Sequence, residues 1–188
     1  MTAAMKLSII VICLDEERHL PRTLGAINCL DHAGLELELV VVDGGSTDSS
    51  REIAAAHGAR VVDSQRGIPR QRNAGGRAAG GELLAYVDAD VELCPGWFET
   101  VARHFGATCP TSPGATRKIL GCPPRLPPDA SWIARAYALH WGQPGDADTD
   151  AEAISEDERL LSTASLVMGR EVFDELGGFR EQLGVDED

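Results

Sequence analysis

The stretch "LLAYVDAD" runs apolar and then presents two carboxylates, Asp88 and Asp90, separated by one alanine. Side chains i and i+2 of an extended chain lie on one face, so these two acids can aim together. Held close, they repel, and one pKa rises unless a cation sits between or beside them. Hard divalent ions such as Mg2+ or Mn2+ accept such oxygens, and a diphosphate can supply the remaining ligands. Two other apolar runs end in the same way: "CLDEE" with Asp15 and Glu16, and "VVVDGGSTD" with Asp43. A lone aspartate after a strand is a turn former. Three acidic strand ends are the pattern of a site for a phosphorylated small molecule held through a metal ion.

The elements that carry these ends alternate. "LSIIVICL" is β-rich and apolar on both faces, as in a buried parallel strand. A helix is expected over Glu16–Leu30, where Leu20, Leu24, Ile27 and Leu30 recur at helical spacing. "LELELVVVD" is a second strand, "GGSTDSSREIAAAHG" a glycine turn and short helix stopped by Gly58, and "ARVVD" a third strand. "GIPRQRNAGGRAAGG" opens with Pro69 in a first helical turn, and "ELLAYV" is the fourth strand. Repeated strand–helix alternation implies an open, doubly wound α/β layer whose ligands bind beyond the carboxyl ends of the strands. After Cys94-Pro95-Gly96 the alternation fades. Residues 106–130 resist assignment; "ASWIARAYALHWG" reads as an amphipathic helix, "GDADTDAEAISEDE" as an acidic loop, "STASLVMG" as a strand and "REVFDELGG" as a short helix.

Composition narrows the function. The 188 residues suffice for one domain with a core, and the net charge of -13 argues against nucleic-acid or anionic-membrane partners, which select clustered Lys and Arg. Cysteines 13, 29, 94, 109 and 122 form no metal-binding spacing and read as reduced thiols of a cytoplasmic protein. No apolar run reaches the roughly 20 residues that span a bilayer, and the N-terminal run reads as a strand rather than a signal peptide. Arg66, Arg70 and Arg72 are expected as exposed partners of local acids, Gly75, Gly76, Gly80 and Gly81 as packing and turn positions, and His104 and His140 as structural residues. Trp132, Tyr137 and Trp141 are expected to form a packed face.

Several segments, in order, resemble family-two glycosyltransferases of the GT-A fold. "SIIVICLDEERHLPRTLGAI" resembles the family's opening strand and "YNEE" turn, and "ELVVVDGGSTDSS" its "VVDDGSTD". "RQRNAGGRAAGGELLAYVDAD" resembles "ARNxGxxxAxGxxxxFLDAD", and "ASLVMGREVFDELGGFREQLGVDED" the acceptor-side "R..F..vGGFDE....ED". The resemblance implies a GT-A-type, mostly parallel doubly wound sheet in a single domain over 1–188, with a nucleotide-sugar half at 1–105 and a looser acceptor half at 106–188. It implies inverting transfer of a sugar from a UDP- or GDP-sugar to a hydroxyl of a glycan or lipid-linked acceptor, assisted by Mn2+ or Mg2+. Asp15, Glu16 and Asp43 would lie against base and ribose. Asp88 and Asp90 would fill the D-x-D positions, Asp88 also facing the donor and Asp90 favoured as the direct metal ligand. Glu187 and Asp188 match the family's acidic motif, with Asp188 as general base and Glu187 beside it.

Two departures stand out. Gly44 replaces the second aspartate of "VVDDGSTD", which leaves the nucleotide open, and the match stops at Asp188, so the chain reads as truncated. A haloacid-dehalogenase-like phosphatase would carry its D-x-D on the first strand, and a sugar-phosphate nucleotidyltransferase would begin with a glycine-rich "GxGTRLxPLT"; neither pattern is present. The remaining alternative is a fragment that binds a nucleotide-sugar or a partner protein without turnover. The expected location is the cytoplasm, with attachment to the inner face of the membrane left open, as is the oligomeric state.

Overall fold

A computed structural model describes residues 3–106, 116–121 and 165–182. Glu187, Asp188, the expected helix at 130–142 and the expected acidic loop at 145–158 lie outside these residues.

Aliphatic runs too apolar to face water on either side become the central strands β1 (Lys6–Cys13), β2 (Glu36–Asp43) and β4 (Leu83–Asp88), with the shorter β3 (Arg60–Asp63) outside β2. Helices α1 (Leu20–Cys29), α2 (Ser50–Ala56) and α3 (Ile68–Ala78) are the crossovers between them, and α4 (Trp97–Phe105) follows β4. The edge beyond β4 is built by β5 (Ile119–Gly121) and β6 (Ser165–Gly169), and α5 (Arg170–Leu176) leaves β6 directly. The sheet order is β3-β2-β1-β4-β6-β5. β1, β2, β3 and β4 pair in parallel, whereas β6 runs antiparallel to both β4 and β5. β5 falls in the stretch that the sequence left unassigned.

Each face of the sheet has its own core. Leu7, Ile9, Val11, Val41, Ala85 and Val87 pack with Leu20, Leu24 and Ile27 of α1 and with Trp97, Phe98, Val101 and Phe105 of α4. Ile10, Val40, Val42, Leu84 and Tyr86 pack with Ala74 and Ala79 around α3 and with Phe173 of α5. α3 lies close because Gly75 faces the sheet. A Cβ there would overlap the Ile10 side chain and come within 2.9 Å of Val42 Cγ2. The expected packing role of this glycine is therefore what the structure shows.

α1 starts at Leu20 rather than Glu16. Pro21 sits in its first turn, where a missing N–H costs nothing, and the preceding residues are drawn instead to the neighbouring loop. Asp15 takes a positive φ of 56°, which an aspartate tolerates better than most residues. The fourth strand likewise ends earlier than the i, i+2 reading of the two acids requires. Asp88 is its last residue, and Ala89 and Asp90 form a turn closed by the Val91 N–H donating to the Asp88 carbonyl (3.1 Å). Thr23 of α1 holds that turn by donating its hydroxyl to the Ala89 carbonyl (2.6 Å).

Candidate functional site

Strand register brings the acids to one edge. Cys13 pairs with Asp43, Asp43 with Asp63, and Ile12 with Asp88, so β1, β2, β3 and β4 all finish at the same level. Asp43 and Asp88 flank β1, roughly 10 Å apart across two strand spacings. Their partners in β1 differ by one residue, and successive side chains of a strand alternate faces. Asp43 accordingly emerges with Cys13 on the α1/α2 face, its Oδ1 3.9 Å from the Cys13 thiol, while Asp88 emerges on the α3 face. One edge thus presents acids above both layers of the sheet.

On the first face two loops are laced together. The Asp15 N–H donates to Ser46 Oγ (3.0 Å), the Glu16 N–H to Ser50 Oγ (2.8 Å) and the Glu17 N–H to Asp48 (3.0 Å). In return the Thr47 N–H donates to the Asp15 carboxylate (2.7 Å). The Glu16 side chain turns to His19 Nδ1 (2.9 Å). Asp43 is only 2% exposed, and both its oxygens are engaged, one by the Ser46 N–H (3.0 Å) and the other by the Arg51 guanidinium (2.7 Å). Burial alone would raise its pKa; the hydrogen bonds from Ser46 and Arg51 outweigh that and hold it below the ordinary carboxylate range. Arg51 also bonds Asp63, closing the tips of β2 and β3.

On the second face Asp88 accepts a hydrogen bond from Arg72 of α3 (3.0 Å). Arg72 was expected to be exposed, but its position faces the sheet and only 7% of its surface reaches solvent. Its guanidinium also lies over the Phe179 ring, 5.7 Å from the centroid. The next residue, Asn73, clamps the Phe179 backbone: its amide donates to the Phe179 carbonyl (2.9 Å) and its Oδ1 accepts the Phe179 N–H (2.7 Å). It reaches Glu181 as well (3.1 Å). Two consecutive residues of α3 therefore join the tip of β4 to the segment that leads towards Glu187 and Asp188. Asp90, in the turn beyond Asp88, is exposed.

Arg51, Gln71 and Asn73 are site residues that sequence reasoning passed over as individuals, although Gln71 and Asn73 stand within the quoted "RQRNAGG". Arg51 is the second residue of α2 and carries no local mark of its aspartate partners, 8 and 12 positions away.

Residues 8–176 match the family model for glycosyl transferase family 2. Among curated relatives, validoxylamine A glucosyltransferase of Streptomyces hygroscopicus subsp. limoneus is 31% identical over 124 residues, which cover 62% of this chain and 26% of the relative. Two solved structures share the fold. The mannosyltransferase PcManGT of Pyrobaculum calidifontis, in complex with GDP-Man and Mn2+, aligns at a TM-score of 0.67 and 21% identity over 98% of this chain and 50% of the other. S. aureus TarS 1-349 in complex with UDP aligns at 0.70 and 21% identity, over 97% and 52%. The chain thus spans about a quarter of the length of that curated relative and about half of these structures.

Proposed function

Because the chain belongs to glycosyl transferase family 2, we propose that it binds a UDP- or GDP-sugar at the carboxyl edge of β1, β2 and β4 and passes the sugar to an acceptor hydroxyl with inversion. The observation that carries this reading is that Asp15, Asp43 and Asp88 stand at one carboxyl edge of the sheet, following β1, β2 and β4, an edge that includes the point where β1 and β4 lie side by side. There the order of strands reverses, and open α/β sheets bind their ligands at such a point. The GDP-Man of PcManGT and the UDP of TarS support a nucleoside-diphosphate donor.

Asp15, Glu16 and Asp43 form the base and ribose side, with Asp43 as the buried anchor of its loop. Asp88 and Asp90 suit an Mn2+ or Mg2+ ion by chemistry, since both offer hard carboxylate oxygens. Among the described residues no group of three or more His, Cys, Asp or Glu could hold a metal by itself. A donor diphosphate would supply further oxygen ligands, as is usual for such ions on phosphate substrates. Asp90 is the direct ligand and Asp88, steadied by Arg72, its neighbour. When bound, the ion neutralises charge on the departing nucleoside diphosphate. Asp188 is the proposed general base for the acceptor hydroxyl and Glu187 its companion. The two halves, 1–105 and 106–188, serve donor and acceptor within one domain. The acceptor is a glycan or a lipid-linked hydroxyl compound, and the reaction is placed in the cytoplasm. Among the described residues no helix is long and apolar enough to cross a membrane.

The test is donor hydrolysis or transfer with Mn2+ and a panel of nucleotide-sugars, comparing wild type with Asp90→Ala. The expected result is turnover of one donor class that collapses in the variant while the fold is retained. An unchanged rate in Asp90→Ala overturns the metal assignment. The share of the relatives' length that the chain spans favours one second reading, a part that binds nucleotide-sugar or a partner without turnover. Nucleotide binding without hydrolysis or transfer by the 188 residues would select it.

A further inference from the structure

The tips of β1 and β2 are tied from beneath by a single side chain. Gln71 projects from α3, 4% exposed, and its Nε2 donates to the carbonyls of Cys13 (2.9 Å) and Val42 (3.1 Å). Beyond these carbonyls the chain departs into the two laced loops, 14–19 and 44–49. Both amide hydrogens of Gln71 are spent on holding those strand ends together.

The carboxamide lies directly under Gly44. A Cβ on that residue would stand 2.9 Å from Nε2, 3.0 Å from Cδ and 3.1 Å from Oε1 of Gln71. The amide would have to move, and it cannot move without releasing one or both carbonyls. Gly44 is not among the glycines with positive φ, so the residue is needed for space rather than for backbone conformation. Gly44 is the counterpart of Gln71.

We infer that Gln71 and Gly44 are a coupled positioning pair: the Gln71 carboxamide sets the separation of the two loops that form the base and ribose side of the donor site, and Gly44 leaves the room it needs. The link to the donor rests on the nucleotide-sugar reading above; the coupling between the two residues does not.

The experiment uses the full chain with Gln71→Met, which keeps the length without the donors, the shorter Gln71→Asn, and a cycle of Gln71→Ala, Gly44→Ala and the double variant that joins them. Amide hydrogen exchange is followed by mass spectrometry, and UDP and GDP binding with Mn2+ by calorimetry. Gln71→Met is expected to exchange about tenfold faster in peptides covering 14–19 and 44–49, with β6 and α5 unchanged. Its Kd for whichever nucleotide the wild type binds is expected to weaken by about tenfold. Gly44→Ala should show the same local signature, and the double variant less than the sum of its parts. Gln71→Asn serves if the methionine variant fails to fold. Uniform acceleration across all peptides, or strictly additive effects, overturns the inference. If the wild type binds neither nucleotide, the donor reading and the link to it both fall, and non-additive exchange then bears on the coupling alone.

Discussion

Tyr86→Phe is expected to stabilise the protein. Tyr86 lies in the middle of β4, 1% exposed, and its ring meets Phe179 edge-on with centroids 4.9 Å apart. Its hydroxyl is buried without a hydrogen-bond partner among the described residues. Burial also pushes its pKa well above the ordinary tyrosine value, so the group stays a neutral phenol. A polar group buried without a partner costs about 1–3 kcal/mol. Phenylalanine keeps the buried ring and the edge contact and removes only that cost. The gap left by one oxygen is smaller than a methyl cavity and takes back less than about 1 kcal/mol. The balance is a gain of about 1 kcal/mol, or a Tm rise of roughly 2–4 °C for a chain of this length. Urea unfolding followed by circular dichroism measures it, with the m-value expected to stay constant. A loss of about 1 kcal/mol or more would mean that the hydroxyl has a partner, such as an enclosed water, and would refute the reasoning.

Arg170 fans three donors onto the carbonyls of Gly76 (3.2 Å), Ala79 (2.7 Å) and Gly81 (2.8 Å), closing the end of α3. Arg170→Ala is expected to cost about 2 kcal/mol in urea unfolding, and Arg170→Lys to recover less than half, since one ammonium cannot span three carbonyls. Asp43 and Glu38 are both held below the ordinary carboxylate range. In each, burial opposes the shift, and the hydrogen bonds of Ser46 and Arg51, or of Ser8 and Gly80, prevail. A folded pKa below the unfolded one gives stability that is complete above the ordinary carboxylate values and is lost as pH falls through the folded ones. Melting temperature should therefore drop on acidification, and less steeply in Asp43→Asn, whose slope matching wild type would contradict the shift. The Cys13 thiol is pushed up to about 12 by burial and then by Asp43. At pH 8 a maleimide should label the exposed Cys29 and Cys94 and spare Cys13, as peptide mapping will report.

Much of the scaffold was legible because it is written locally. Unbroken aliphatic runs named β1, β2 and β4. The glycine and Ser/Thr/Asp clusters named the turns between them, and Pro69 marked the first turn of α3. Parallel alternation then requires Asp15, Asp43 and Asp88 to share one edge. The alternation stopped being informative where it ended. β5 has three residues, and its place depends on an antiparallel pairing with β6, far along the chain. No period in so short a run could announce it.

The sequence by itself determined which acids stand at the carboxyl edge, because strand ends and turn residues are local properties of the chain. Only the tertiary structure decided what each acid faces. A one-residue step in register sends Asp43 and Asp88 to opposite layers, and the Ala89–Asp90 turn takes Asp90 out of the strand. The groups that hold the edge together come from far away, Gln71 from 58 positions beyond Cys13 and Asn73 from 106 positions before Phe179. Such contacts leave no periodic trace, since they arise when helices settle on the sheet and buried polar atoms must find partners.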